Sequence, residues 1–186
     1  MRALGIDPVH GTRDCFRALV DAMSRPGTVT EAPSAPAAYA VLATLVDHEV
    51  SCYSPDERIT TALANEGRLT AAAVDTADIV HAPDPASCPV GELSRGSLTE
   101  PSDGATVVYG VEKLRAGPET ETDGPELILS GPGVPDERRL SVRGFLPADA
   151  RALSAVQSSY PRGVDAVLTT DREIAAIPRS VDLEVA

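Results

Sequence analysis

Lysine is almost missing from this chain: Lys113 is the only one among sixteen basic residues, so nearly all positive charge is guanidinium. A lysine-anchored cofactor such as pyridoxal phosphate has one possible attachment point. Acidic residues outnumber basic ones by twenty-eight to sixteen, a net charge of −12, which argues against a surface built to lie along nucleic-acid backbones. The acids are spread along the chain and form no tail. That balance, with arginine in place of lysine, suits a salt-rich, halophile-like cytoplasm; base-composition bias produces the same exchange. Cys15, Cys52 and Cys88 are odd in number and far apart, so neither a disulfide framework nor a C-x-x-C metal knuckle is expected. The chain has no apolar run of roughly eighteen residues and no basic leader, which predicts a soluble, unexported, cytoplasmic protein without a membrane partner. Phosphate loops of the G-x-x-x-x-G-K-[ST] type, G-x-G-x-x-G turns, H-E-x-x-H helices and G-x-S-x-G elbows are absent as well. No cofactor, metal or self-contained catalyst is announced.

What is present fits one α/β domain over residues 1–186, a length sufficient for one core. The stretch ahead of Arg25 reads as an amphipathic helix with Phe16, Leu19 and Met23 inward, Cys15 and Ala22 beside them, and Arg13, Arg17, Asp21 and Ser24 in water. Arg25-Pro26-Gly27 stops it, because proline disfavours helical geometry at the preceding residue and glycine permits the left-handed turn. Further helices are expected over 34–46, 56–66 and 147–159. Strands are expected over 28–30, 50–53, 79–80, 105–111, 126–130, 139–145 and 164–170, with 82–101 mostly loop. The acidic run 117–124 reads as an exposed hairpin connection. The order suggests a three-layer sandwich, a mixed sheet covered by helices on both faces.

Several short motifs recur in a fixed order: Asp7-Pro8-Val9-His10, the Arg25-Pro26-Gly27 stop, Thr44-Leu45-Val46-Asp47-His48-Glu49, Glu100-Pro101 ahead of Ala105-Thr106-Val107-Val108, Leu129-Ser130-Gly131-Pro132-Gly133-Val134, Tyr160-Pro161-Arg162-Gly163-Val164-Asp165 and Ile177-Pro178-Arg179-Ser180. In this order the chain resembles the H-subunit family of the bacterial carbon-phosphorus lyase system. The resemblance implies a fold similar to the large domain of pyridoxal-phosphate-dependent transferases without that cofactor, and a homodimer when isolated. It also implies work in company with subunits resembling the G, I, J, K and L components. That assembly moves the ribose triphosphate of a purine nucleotide onto an alkylphosphonate, and its H component has no assigned catalytic residue. A free-standing homodimeric protein or enzyme binding phosphonate or nucleotide is the alternative.

Candidate ligand-binding residues are of two kinds. Asp47-His48-Glu49, expected at the end of the second helix, could place His48 and Glu49 as base and orienting carboxylate, or hold a histidine that merely suits the helix dipole. Arg25, Arg162 and Arg179 abut prolines or a glycine, where a turn would fix a guanidinium for a phosphonate oxygen pair, a partner surface or a surface carboxylate. Gly131-Pro132-Gly133 reads as an inter-strand turn, and His10 and His81 as structural.

Overall fold

A computed structural model describes residues 4–117 and 124–186. Five strands, β2 (Ser51–Tyr53), β3 (Thr70–Ala71), β4 (Ile79–Ala82), β5 (Thr106–Gly110) and β9 (Asp165–Thr169), run parallel in the order β3-β2-β4-β5-β9. Beyond β9, β10 (Glu173–Ile177) and β1 (Thr30–Glu31) continue the sheet antiparallel, making seven strands. A second sheet is antiparallel throughout, in the order β11 (Asp182–Val185), β7 (Glu126–Ser130), β8 (Arg138–Arg143) and β6 (Lys113–Ala116).

The central strands β4, β5 and β9 are apolar on both faces, as parallel strands covered on both sides must be. Side chains alternate between two cores. Ile79, Val108, Val167 and Ala176 join the cluster under α1 (His10–Ser24), α2 (Ala37–Leu45) and α3 (Glu57–Asn65). Val80, Val107, Tyr109, Leu168 and Ile177 join the cluster formed with the second sheet and α4 (Pro147–Gln157). Three layers are therefore present, but one outer layer is a small sheet with a single helix, where helices alone were expected. In the small sheet β6 and β11 are only four residues long, and in the large sheet the alanines of β10 dilute its pattern, so none of the three stands out in the sequence.

Three local expectations need correction. Phe16 is 55% exposed, with Val9 and Val20 also in solvent, while Cys15, Leu19 and Ala22 are buried. The small side chains at those spacings let α1 lie close to α2 and β10, so the seam runs one column away from the largest apolar residue. Helix α2 ends at Leu45, before His48. The Asp47 carboxylate there accepts from the backbone N–H of Glu49 (2.9 Å) and Val50 (3.2 Å), a local turn that competes with further helix. His48 therefore gains nothing from a helix dipole. The strands flanking the acidic run, β6 and β7, lie on either side of β8 and do not pair, so they form no hairpin; residues 118–123 of that run lie outside the described residues.

The other punctuation is where the sequence puts it. Helix α1 stops at Ser24 and Gly27 takes φ +79°, Asp56 caps α3 through the Arg58 N–H (2.9 Å), and Pro147 occupies the first turn of α4. Cys15, Cys52 and Cys88 are free thiols, and burial pushes Cys52 up to about 11. No helix among the described residues is long and apolar enough to cross a membrane.

Candidate functional site

The five sequence candidates fall in three places. Arg25 is exposed at the end of α1 and pairs with Asp21 at 3.0 Å, one turn back. His48 and Glu49 stand in solvent, 3.9 Å apart, ahead of β2. Arg162 is exposed in the turn before β9, and its neighbour Gly163 packs against Arg179. The Arg179 guanidinium is enclosed: it donates to Asp165 through Nε (2.9 Å) and Nη2 (2.5 Å), to the Pro101 carbonyl (2.6 Å) and to the Gly104 carbonyl (3.0 Å). Arg162 and Arg179 thus share a corner at the amino end of β9. His48 and Glu49 lie at the amino end of β2, three strand positions away, or about 14 Å at the usual spacing.

A different set of residues converges at the opposite edge. In open α/β sheets, ligands bind outside the carboxyl ends of the parallel strands, and a cavity of about 450 Å³ lies there. Gly110 ends β5 within it; a Cβ at that position would meet the Pro83 carbonyl at 2.7 Å, so only glycine lets the segment after β4 approach so closely. Pro36, Tyr39, Val111, Thr169 and Thr170 supply further wall.

The cavity's chemistry centres on His81, the one polar side chain in β4 and only 3% exposed. Its Nδ1 lies 2.8 Å from Ser54 Oγ, which also accepts the Asp56 N–H at 3.2 Å. Tyr39 donates its hydroxyl to Asp56 Oδ2 at 2.6 Å. The His81 ring lines the cavity. Burial lowers the imidazole's pKa from its ordinary 6.5, against an opposing pull from Asp56, so the ring is held neutral. For Asp56, desolvation pushes the carboxyl up, but hydrogen bonds from Tyr39 and from the Arg58 and Ile59 N–H groups outweigh it and hold the carboxyl below its usual range.

Four carboxylates line this cavity, from Asp56, Asp84, Glu112 and Asp171, and no arginine or lysine among the described residues does. Among those residues, no group of three or more His, Cys, Asp or Glu side chains is placed to hold a metal ion. The sequence understates the site: Tyr39 reads there as helix core and His81 as structural. The available signal was a histidine at the carboxyl end of an otherwise apolar strand, followed by Pro83-Asp84-Pro85.

The buried neutral imidazole has a measurable consequence. The unfolded chain binds a proton near pH 6.5 while the native chain resists it, so the stability His81 contributes is complete above that pH and is lost as pH falls from there towards the folded pKa. The loss is at most about 1.4 kcal/mol per pH unit. Urea midpoints taken between about pH 7.5 and pH 5.5 should fall more steeply for the native chain than for His81→Gln; parallel lines would mean the imidazole is not kept neutral.

Comparison with known proteins follows the same lines as the motifs. The chain is 33% identical over 172 residues to the putative C-P lyase subunit protein HtxG of Stutzerimonas stutzeri, an alignment covering 91% of this chain and 84% of that one. It is 30% identical over 192 residues to the alpha-D-ribose 1-methylphosphonate 5-triphosphate synthase subunit PhnH of Rhizobium meliloti (strain 1021), covering 96% and 92% of the two chains. Residues 5–184 match the family described as bacterial phosphonate metabolism protein (PhnH), and the chain belongs to that family.

Proposed function

We propose that this chain serves phosphonate catabolism as a subunit of an assembly of the ribose 1-methylphosphonate 5-triphosphate synthase kind, with partners resembling the G, I, J, K and L components. In that assembly the ribose triphosphate of a purine nucleotide passes to an alkylphosphonate, and the glycosyl chemistry belongs to the partners. The observation that carries the reading is the charge of the strand-end cavity. Asp56, Asp84, Glu112 and Asp171 surround the position where this fold class receives ligands, and four carboxylates repel a triphosphate. The reading includes one cytoplasmic α/β domain, kinship with the large domain of pyridoxal-phosphate transferases without the cofactor, and a homodimer in isolation.

Co-expression with the partner subunits tests it. Leaving this chain out should abolish turnover of nucleotide and alkylphosphonate; a complex that forms and turns over equally well without it ends the assignment. A second reading, direct contact with phosphonate, draws on Arg25 and Arg162, which are exposed at turns. It predicts heat on titrating the isolated protein with phosphonate or nucleotide.

A further inference from the structure

One Asp7 carboxylate oxygen accepts from the N–H groups of Val9 (2.8 Å) and His10 (2.7 Å) and fixes where α1 begins. From that start two columns of side chains run along the helix. The inner one, Cys15, Leu19 and Ala22, is buried. The outer one is Val9, Arg13, Phe16, Val20 and Met23, at steps of four, three, four and three residues, the repeat by which one helix presents a seam to another. Val9 is 65% exposed, Phe16 55% and Val20 48%, while Met23 is half-buried against the core at the far end. Single apolar side chains in solvent mean little, but a column of them along one face marks a contact surface.

The charges beside this column have positive sign in excess. Asp14 meets both Arg13 (3.4 Å) and Arg17 (3.7 Å), and Asp21 meets Arg25 (3.0 Å). Three arginines against two aspartates leave one positive charge over, and the shared Asp14 places it next to Phe16. At physiological salt, with a screening length of about 8 Å, a docking surface meets this local sign and not the net charge of −12. Phe16 flanked by Arg13 and Arg17 also has the makeup of an interface hot spot, an aromatic anchor with guanidinium neighbours.

We propose that a partner subunit docks here by laying an amphipathic helix along the outer column of α1, its apolar stripe on Val9, Phe16 and Val20 and a carboxylate at its edge against Arg13 and Arg17. The inference rests on the assembly reading above. The inner column holds α1 against α2 and β10, so the surface is formed before the partner arrives and docking does not have to order it. A second copy fits less well. Two-fold pairing of α1 with itself would bring Arg13 and Arg17 of both copies into one interface, where Asp14 and Asp21 are already engaged by their own arginines.

The test uses the full chain in two variants, Phe16→Ala with Val20→Ala, and Arg13→Gln with Arg17→Gln. Binding to the co-purified partner subunits is followed by interferometry over a salt series, beside the thermal midpoint of each chain alone. The apolar variant should bind more weakly by about tenfold or more at every salt concentration. Its thermal midpoint should stay level or rise, because alanine replaces exposed residues of lower helix propensity. The arginine variant should lose affinity mainly at low salt and flatten the salt dependence. Unchanged affinity in a folded variant of either kind overturns the proposal and leaves the assembly reading intact. A fall in the thermal midpoint that matches the loss of binding assigns the column to the fold and overturns it too. Failure of the native chain to bind the partners removes both readings. Self-association of the native chain that the apolar variant abolishes, with partner binding kept, gives the surface to a second copy and also overturns it.

Discussion

Replacing Arg179 by alanine is expected to destabilise the fold by about 3–5 kcal/mol, the range found when one member of a buried ion pair is removed. The side chains of Arg179 and Asp165 are 13% and 18% exposed, so the charge left on Asp165 has little water to turn to. Two carbonyls, of Pro101 and Gly104, lose their donor at the same time. The site is also sterically closed: a Cβ on Gly104 would collide with the guanidinium and the Gly163 carbonyl, which leaves little room for water to replace the lost contacts. Lysine restores charge but not the planar fork, so Arg179→Lys should recover only part of the loss. Equilibrium urea unfolding checks both variants. In a double-mutant cycle, the pair Arg179→Ala with Asp165→Ala should cost clearly less than the two single changes added together. A loss below about 1 kcal/mol for Arg179→Ala would mean the clamp is a surface pair in disguise.

Phe145→Ala should cost about the same, 3–5 kcal/mol, through a cavity between the layers. Phe145 is 1% exposed and meets Tyr109 edge to face, with ring centres 5.3 Å apart and planes at 66°. Tyr109 belongs to β5 of the large sheet and Phe145 follows β8 of the small one, so this contact joins the two sheets. Few other aromatics exist to compensate: the chain has two phenylalanines, four tyrosines and no tryptophan. The loss should be concentrated in the small sheet, with amide exchange in β7 and β8 accelerating more than in β5 and β9. Phe145→Leu, which restores most of the volume, should return most of the stability. Uniform acceleration across both sheets would show that the layers unfold as one unit.

The contrast between these residues shows what could be read in advance. Where proline and glycine set the outcome, the chain was legible: Arg25-Pro26-Gly27 stops α1 and Pro147 lies in the first turn of α4, whereas the Asp47 turn that ends α2 was missed. Where packing decided, it was not. Phe16 has the hydrophobicity of a core residue, yet the neighbouring column of Cys15, Leu19 and Ala22 gives the closer approach to α2, and only the partner's shape reveals that. Arg179 reads as a turn arginine equally suited to a ligand, a partner surface or a surface carboxylate, because the carboxylate that encloses it, Asp165, lies on β9, far back in the sequence. The strand-end site was hidden for the same reason. Tyr39, Ser54, Asp56 and His81 come from α2, the loop after β2, the cap of α3 and β4, and no spacing in the sequence brings them together. The division into two sheets was equally obscure, since an apolar strand gives no sign of which sheet it will join.

The seven-stranded sheet also acts as a partition. Leu42 and Leu63 belong to the apolar cluster on one side, Leu127 and Phe145 to the cluster on the other. Substitutions in separate clusters have additive energies, because no repacking is shared between them. The helical side and the small-sheet side can therefore drift in sequence at independent rates, each tuned without a compensating change across the partition.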